Sequence, residues 1–153
     1  MKIVIKGNDF QKIRDHIKKN KDKKIIFSGN NDEINRKVLE KEKIDILLIN
    51  QKERKDTLKQ RNSGLNHILA KIAKENNVVI GINLDEILNA KSQKQKAEII
   101  GRIMQNIKLC NKKKINMCFV SEENKKNLHC LKSLGLILGM PTWMTSSLDS
   151  EKN

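Results

Sequence analysis

The sequence predicts an α/β fold built on a parallel sheet, and three observations carry that prediction. Short apolar runs rich in β-branched residues alternate with amphipathic stretches along the chain. The runs are nearly continuous rather than alternating polar and apolar, which is how strands covered on both faces read. The stretches between them are long enough to serve as crossover helices, which parallel neighbours require. At 153 residues the chain has room for one domain with a real core. That domain is placed at residues 1–141, with 142–153 as a polar tail.

Ile3 to Ile5 reads as the first strand, and Gly7-Asn8-Asp9 turns the chain into a helix over Phe10 to Lys19. Lys24 to Phe27 is the second strand, Ser28-Gly29-Asn30-Asn31 the turn, and Asp32 to Lys41 the second helix, with Ile34, Val38 and Leu39 inward. Ile44 to Ile49 is the third and most apolar strand. Asn50 to Asn62 follows as a long polar loop, and long loops in compact domains tend to carry function. Ser63 is the expected N-cap of the next helix, whose inward face is Leu65, Ile68, Leu69, Ile72 and Ala73 and whose other side carries Asn66, His67, Ala70, Lys71 and Lys74. Asn76 and Asn77 end it, and Val78 to Ile82 forms the fourth strand. A short helix near Leu84 to Leu88 precedes a longer one over Gln93 to Lys112, with Ile100, Ile103, Ile107 and Cys110 on one stripe and Arg102 and Gln105 away from it. Met117 to Val120 is the fifth strand. Lys125 to Leu138 is the last helix, with Leu128, Leu131, Leu134 and Leu138 inward, and Pro141 fits just past its end. Trp143 and Met144 are the tail residues able to dock back on the fold.

The chain has 32 Lys+Arg against 18 Asp+Glu, a formal charge of +14, which points to a polyanionic partner. Tyrosine is absent and the only aromatics are Trp143, Phe10, Phe27 and Phe119, so readout of single strands by stacking on exposed rings is not expected. Phosphate contact and shape should dominate instead. Cys110, Cys118 and Cys130 form no C-x-x-C pair and read as reduced cysteines of a cytoplasmic protein. The opening MKIVIKGN reads as a strand rather than a signal peptide, and no apolar run approaches membrane-spanning length.

Ligands of βα folds gather at the carboxyl ends of the strands. Here those ends carry amides and hydroxyls, and acid/base chemistry would have to use Asp9, Asp85, Glu122 or Glu123, with no histidine among them. No Walker loop, G-x-G-x-x-G turn, H-x-x-x-H helix or G-x-S-x-G elbow is present, so no catalytic residue is assigned. The charge divides between two ends of the fold. Lys18, Lys19, Lys21, Lys23 and Lys24, with Lys112 to Lys114, follow helices, where cations complement the macrodipole. The cations from Lys52 to Arg61 precede a helix, where the dipole disfavours them, and phosphate binding near the Gly64 helix start is the candidate explanation.

The stretch RNSGLNHILAKIAKENNVVIGINLDEIL resembles the signature of the archaeal and eukaryotic ribonuclease P p30-type family, called protein component 3 in archaea. Ser63, Gly64, Leu65, Asn66, His67, Leu69, Ala70 and Lys71 stand where the family writes S-G-L-N-H-x-L-A-K, and Gly81, Leu84 and Leu88 continue the match. Leu134-Gly135 with Gly139-Met140 is similar to its L-G-x-x-x-G-M ending, so that the resemblance covers roughly Ile44 to Met140. It implies a (β/α) TIM-barrel-like fold related to metal-dependent PHP phosphoesterases but without their metal-binding histidines, shortened here at the N-terminus. It also implies a subunit of ribonuclease P, which removes the 5′ leader of precursor tRNA and whose RNA is the catalyst. The implied partners are ribonuclease P RNA, protein component 2 and the other ribonuclease P proteins, with precursor tRNA met indirectly and no membrane. No cofactor is implied for this chain, and magnesium is expected for the RNA subunit. Lys59, Arg61, Ser63, His67, Lys71 and Arg102 are the candidate RNA-facing or partner-facing residues. The rival readings are a stand-alone PHP-like metal-dependent phosphoesterase and a basic scaffold for protein partners.

Overall fold

A computed structural model describes residues 1–148. Its strands are β1 (Lys2–Gly7), β2 (Lys24–Gly29), β3 (Ile46–Ile49), β4 (Val79–Asn83) and β5 (Met117–Val120). Its helices are α1 (Phe10–Lys19), α2 (Asp32–Lys41), α3 (His67–Glu75), α4 (Leu84–Leu88), α5 (Gln93–Lys113), α6 (Leu128–Ile137) and α7 (Thr142–Ser147). The strands form one parallel sheet in the order β1-β2-β3-β4-β5. With each strand laid beside its predecessor, right-handed crossovers keep the covering helices on one face, the arrangement of a βα barrel rather than of a doubly wound sheet. Lys6 on β1 meets Glu122, two residues past β5, at 2.7 Å. A flat sheet would hold its outer strands about 19 Å apart, so the sheet curls to bring its edges toward each other.

Register explains where the core lies. Ile5, Phe27, Leu47, Ile80 and Met117 are paired in one row across the sheet and are all buried on the helix side. Against them pack Ile13 and Ile17 of α1, Val38 and Leu39 of α2, Leu69, Ala70 and Ala73 of α3, and Ile99, Ile103 and Ile107 of α5. The rows of opposite facing, Ile26 with Ile46 and Leu48 with Gly81 and Cys118, turn to the concave side, and their side chains form a second apolar cluster with Leu148, against which Leu128 packs. Among the described residues no helix is long and apolar enough to cross a membrane.

Five local expectations are corrected. Helix α3 starts at His67, not after Ser63, because Gly64 adopts φ +77 and breaks the path. Asn66 is the N-cap, its side chain accepting from the Leu69 N–H at 2.9 Å. The α3 face is rotated from the expected one: Ala70 is fully buried while Ile68 is 45 % exposed. On α5 the buried face holds Ile99, Arg102, Ile103, Asn106, Ile107 and Cys110, so Arg102 points inward rather than away. In α6, Leu128, Leu131 and Leu134 are only half-buried and Gly135 is the buried residue, lying against Met140 and against Thr145 of α7. Residues 142–147 are not a frayed tail. They form α7, which buries Met144 and Thr145, and the Trp143 indole N–H donates to Asn111 Oδ1 at 3.1 Å. The rest of the expected tail, 149–153, lies outside the described residues.

Candidate nucleic-acid interface

The long connection between β3 and α3 is built by buried polar groups. Arg54 forms a fork on Asp32, Nη1 to Oδ2 at 2.9 Å and Nη2 to Oδ1 at 2.8 Å, while its Nε donates to the Asn50 carbonyl at 2.6 Å. Such paired N–H donation to a carboxylate adds both energy and orientation. Arg102, 3 % exposed, reaches out of α5 to three loop acceptors: Asp56 Oδ1 at 3.0 Å, the Gln51 carbonyl at 3.0 Å and the Arg54 carbonyl at 2.8 Å. Asp56 also accepts from the Asn62 N–H at 2.8 Å, and these bonds, Arg102 foremost, hold its carboxyl below the usual range. Glu86 accepts from the Gln51 and Lys52 N–H groups at 2.7 and 3.2 Å. Burial outweighs those bonds and pushes its pKa up.

Two glycines make this packing possible. A Cβ at Gly64 would run into the Arg54 guanidinium and Ile49, and its positive φ already disfavours a side chain. Gly101 on α5 leaves room for the Arg61 guanidinium, which lies against it. Beneath, the Ser63 carbonyl accepts from Gln51 Nε2 at 2.8 Å and Asn106 Nδ2 at 3.0 Å, and Gln105 Nε2 donates to Ser63 Oγ at 3.1 Å and to the Arg61 carbonyl at 3.2 Å.

The six predicted residues therefore separate into two groups. Ser63 and Arg102 are buried and hold the loop on α5; Lys59, Arg61, His67 and Lys71 are exposed. Arg61 is anchored against Gly101, Lys71 lies 4.0 Å from Glu75, and Lys59 makes no ion pair among the described residues. Sequence reasoning missed Arg54, Gln51, Asp56, Glu86 and Gly101, whose partners are too far along the chain to leave a local pattern. The loop's cations thus have two explanations rather than one. Arg54 serves structure on Asp32, Arg61 lies against Gly101, and Lys52, Lys55 and Lys59 are left facing solvent.

The strand ends are likewise occupied by internal bonds. Asn83 Nδ2 donates to Asn50 Oδ1 and Asn50 Nδ2 to Ser28 Oγ, both at 2.9 Å, and Asp9 caps α1. Asp85 loses solvation, yet bonds from Ser121 Oγ, the Glu122 N–H, Asn124 Nδ2 and the Glu123 N–H outweigh that loss and bring its pKa down to about 2. A carboxylate so held keeps the β5–α6 turn in place and is a poor proton carrier at neutral pH. Among the described residues no group of three His, Cys, Asp or Glu side chains is placed to hold a metal ion, so nothing here favours the phosphoesterase alternative.

Comparison with known proteins places this geometry. The family model described as RNase P subunit p30 matches residues 2–143, reaching well ahead of Ile44, where the resemblance read from the sequence begins. Ribonuclease P protein component 3 of Methanococcus maripaludis strain C7 is 29 % identical over 88 % of this chain and 54 % of its own length. That of Methanocaldococcus jannaschii is 31 % identical over 86 % of this chain and 53 % of its own. The chain thus spans about half the length of these relatives. A chain in a cryo-EM structure of archaeal ribonuclease P with mature tRNA superposes with a TM-score of 0.77 at 24 % identity, covering 98 % of this chain and 64 % of that one, which is a likeness of fold.

Proposed function

Because the chain belongs to the family of ribonuclease P subunit p30, we propose that it acts as a protein subunit of ribonuclease P, binding and supporting the catalytic RNA in removal of the 5′ leader of precursor tRNA. The family match over nearly the whole chain is the observation that carries this reading. The site's chemistry agrees with it. The braced loop offers lysines on a fixed backbone and no proton-transfer pair, which suits a component that positions an RNA and leaves the chemistry to it. Lys59, Arg61, His67 and Lys71 contact phosphates or a protein partner in this reading, while Ser63 and Arg102 keep the loop in shape for them. The partners are ribonuclease P RNA, protein component 2 and the other ribonuclease P proteins in a cytoplasmic ribonucleoprotein, with precursor tRNA met through the assembly and magnesium serving the RNA.

Reconstitution tests it. Precursor tRNA cleavage by an archaeal ribonuclease P RNA, component 2 and the remaining proteins is measured with and without this chain. A rise in cleavage on adding the chain is expected. Equal rates in both, or phosphatase turnover by the chain without RNA, would overturn the proposal.

A further inference from the structure

At the opposite end of the sheet from the braced loop, a cleft of about 860 Å³ opens between the ends of α1 and α2. Arg14, Lys18, Lys21, Lys23, Lys24 and Lys43 line it. The helix dipole accounts for Lys18, which lies in the last turn of α1. The dipole expected from the sequence to account for Lys21 and Lys23 as well falls off within the last turn, and these two, like Lys43, lie past the helix ends on the turns into β2 and β3. The carboxylates in the cleft are already engaged: Glu42 pairs with Arg14 at 3.1 Å and Asp45 Oδ2 accepts the Ile25 N–H at 2.7 Å. Among the described residues Lys23 bonds a neutral group, Asn20 Oδ1, at 2.9 Å. Cations gathered around one concavity repel each other, and a bound polyanion relieves that cost.

We propose that this cleft binds the phosphate backbone of RNA, as a second contact on the far rim from Lys59 and Lys71. No aromatic ring lines it, so bases have nothing to stack on, and lysine ammonium groups act as point charges for phosphate oxygens. The contact therefore reads charge and shape, not sequence. A chain holding RNA at both rims fixes two RNA segments relative to each other across the length of the strands. The inference rests on the RNA-binding reading above and assigns it a place.

The test uses the full chain and an archaeal ribonuclease P RNA, with affinity measured across a salt series for the parent, for Lys21→Gln with Lys43→Gln, and for Lys59→Gln with Lys71→Gln. All four positions are exposed, and matching thermal melts verify the fold. The Lys21/Lys43 pair is expected to lower the salt slope by about 1.5 to 2 and weaken binding on the order of tenfold, without changing sequence preference. If that pair matches the parent while Lys59/Lys71 lowers the slope, the cleft proposal fails and the subunit reading stands. If the parent binds no RNA and adds nothing to reconstituted cleavage, both fail. Polyglutamate is run in parallel. Loss of its binding alone in the Lys21/Lys43 pair would assign the cleft to an acidic protein segment and overturn the RNA proposal.

Discussion

Replacing Arg102 by alanine separates two roles that the side chain's charge alone leaves open. As a brace, the guanidinium is 4 % exposed and its Asp56 partner 29 %, with two further bonds to loop carbonyls. A hydrogen bond from a charged donor contributes about 1.5–3 kcal/mol. Asp56 is exposed and keeps water and the Asn62 N–H, and the freed carbonyls belong to a surface loop that rehydrates. The net loss is therefore about 2–3 kcal/mol, or roughly 8 °C in Tm for a domain of this size. Urea unfolding of Arg102→Ala against the parent reads this as a shifted midpoint at constant m-value. Arg102→Lys is expected to recover little, because a single ammonium cannot serve three acceptors spread around a planar fork. A variant that unfolds at the parent's midpoint while losing about one unit of RNA salt slope would refute the brace and make Arg102 a phosphate contact.

Gly64→Ala is expected to destabilise by about 2 kcal/mol, from a positive φ and from displacement of the Arg54 guanidinium; unchanged thermal stability would show that the fork on Asp32 is dispensable. Asn66→Ala removes the α3 cap and should cost about 1 kcal/mol, whereas Ser63→Ala leaves helix content by circular dichroism intact. Asp85 has its pKa lowered from 3.8 to about 2, so its stabilisation is complete above the unfolded value and is lost as pH falls through the folded one. Asp85→Asn should therefore lower stability at pH 7 by about 1–2 kcal/mol after allowing for solvent screening, with the difference from the parent closing near pH 2. A constant difference across an acid titration of unfolding would argue against that carboxylate's role.

How much of this was legible in the sequence follows from how local each cause is. Strands β2 to β5 were read from their apolar runs because a strand buried on both faces leaves a continuous signature. Helices α1 and α2 are legible from the turns that precede them, Gly7-Asn8-Asp9 and Ser28-Gly29-Asn30-Asn31, and the structure shows the last residue of each turn, Asp9 and Asn31, acting as the cap. The face of α5 was misread by one position, Ile100 for Ile99, because Arg102 and Asn106 share the buried side and interrupt the apolar period. The loop's braces were invisible for a different reason. Arg54 finds Asp32 at 22 residues' separation and Arg102 finds Gln51 at 51, and no spacing rule links such pairs. Docking of Trp143 and Met144 is legible as two apolar residues in a polar tail, but the helix that carries them is not, because TWMTSS is too short to show a helical period. The resemblance signalled that residues 61–88 mattered without saying that Ser63 serves through its carbonyl rather than as a cap.

The braces on the loop also set an order of assembly. Their partners lie on α2, on α4 and on α5, so the bonds within the loop, such as Asn62 N–H to Asp56 and Gln51 to the Ser63 carbonyl, are joined by bonds to three separate helices. Closing contacts across such separations costs entropy before any bond repays it. The segment from Asn50 to Ser63 is therefore expected to take its final shape when α5 docks on the sheet, and its resistance to proteolytic nicking is a measure of that docking.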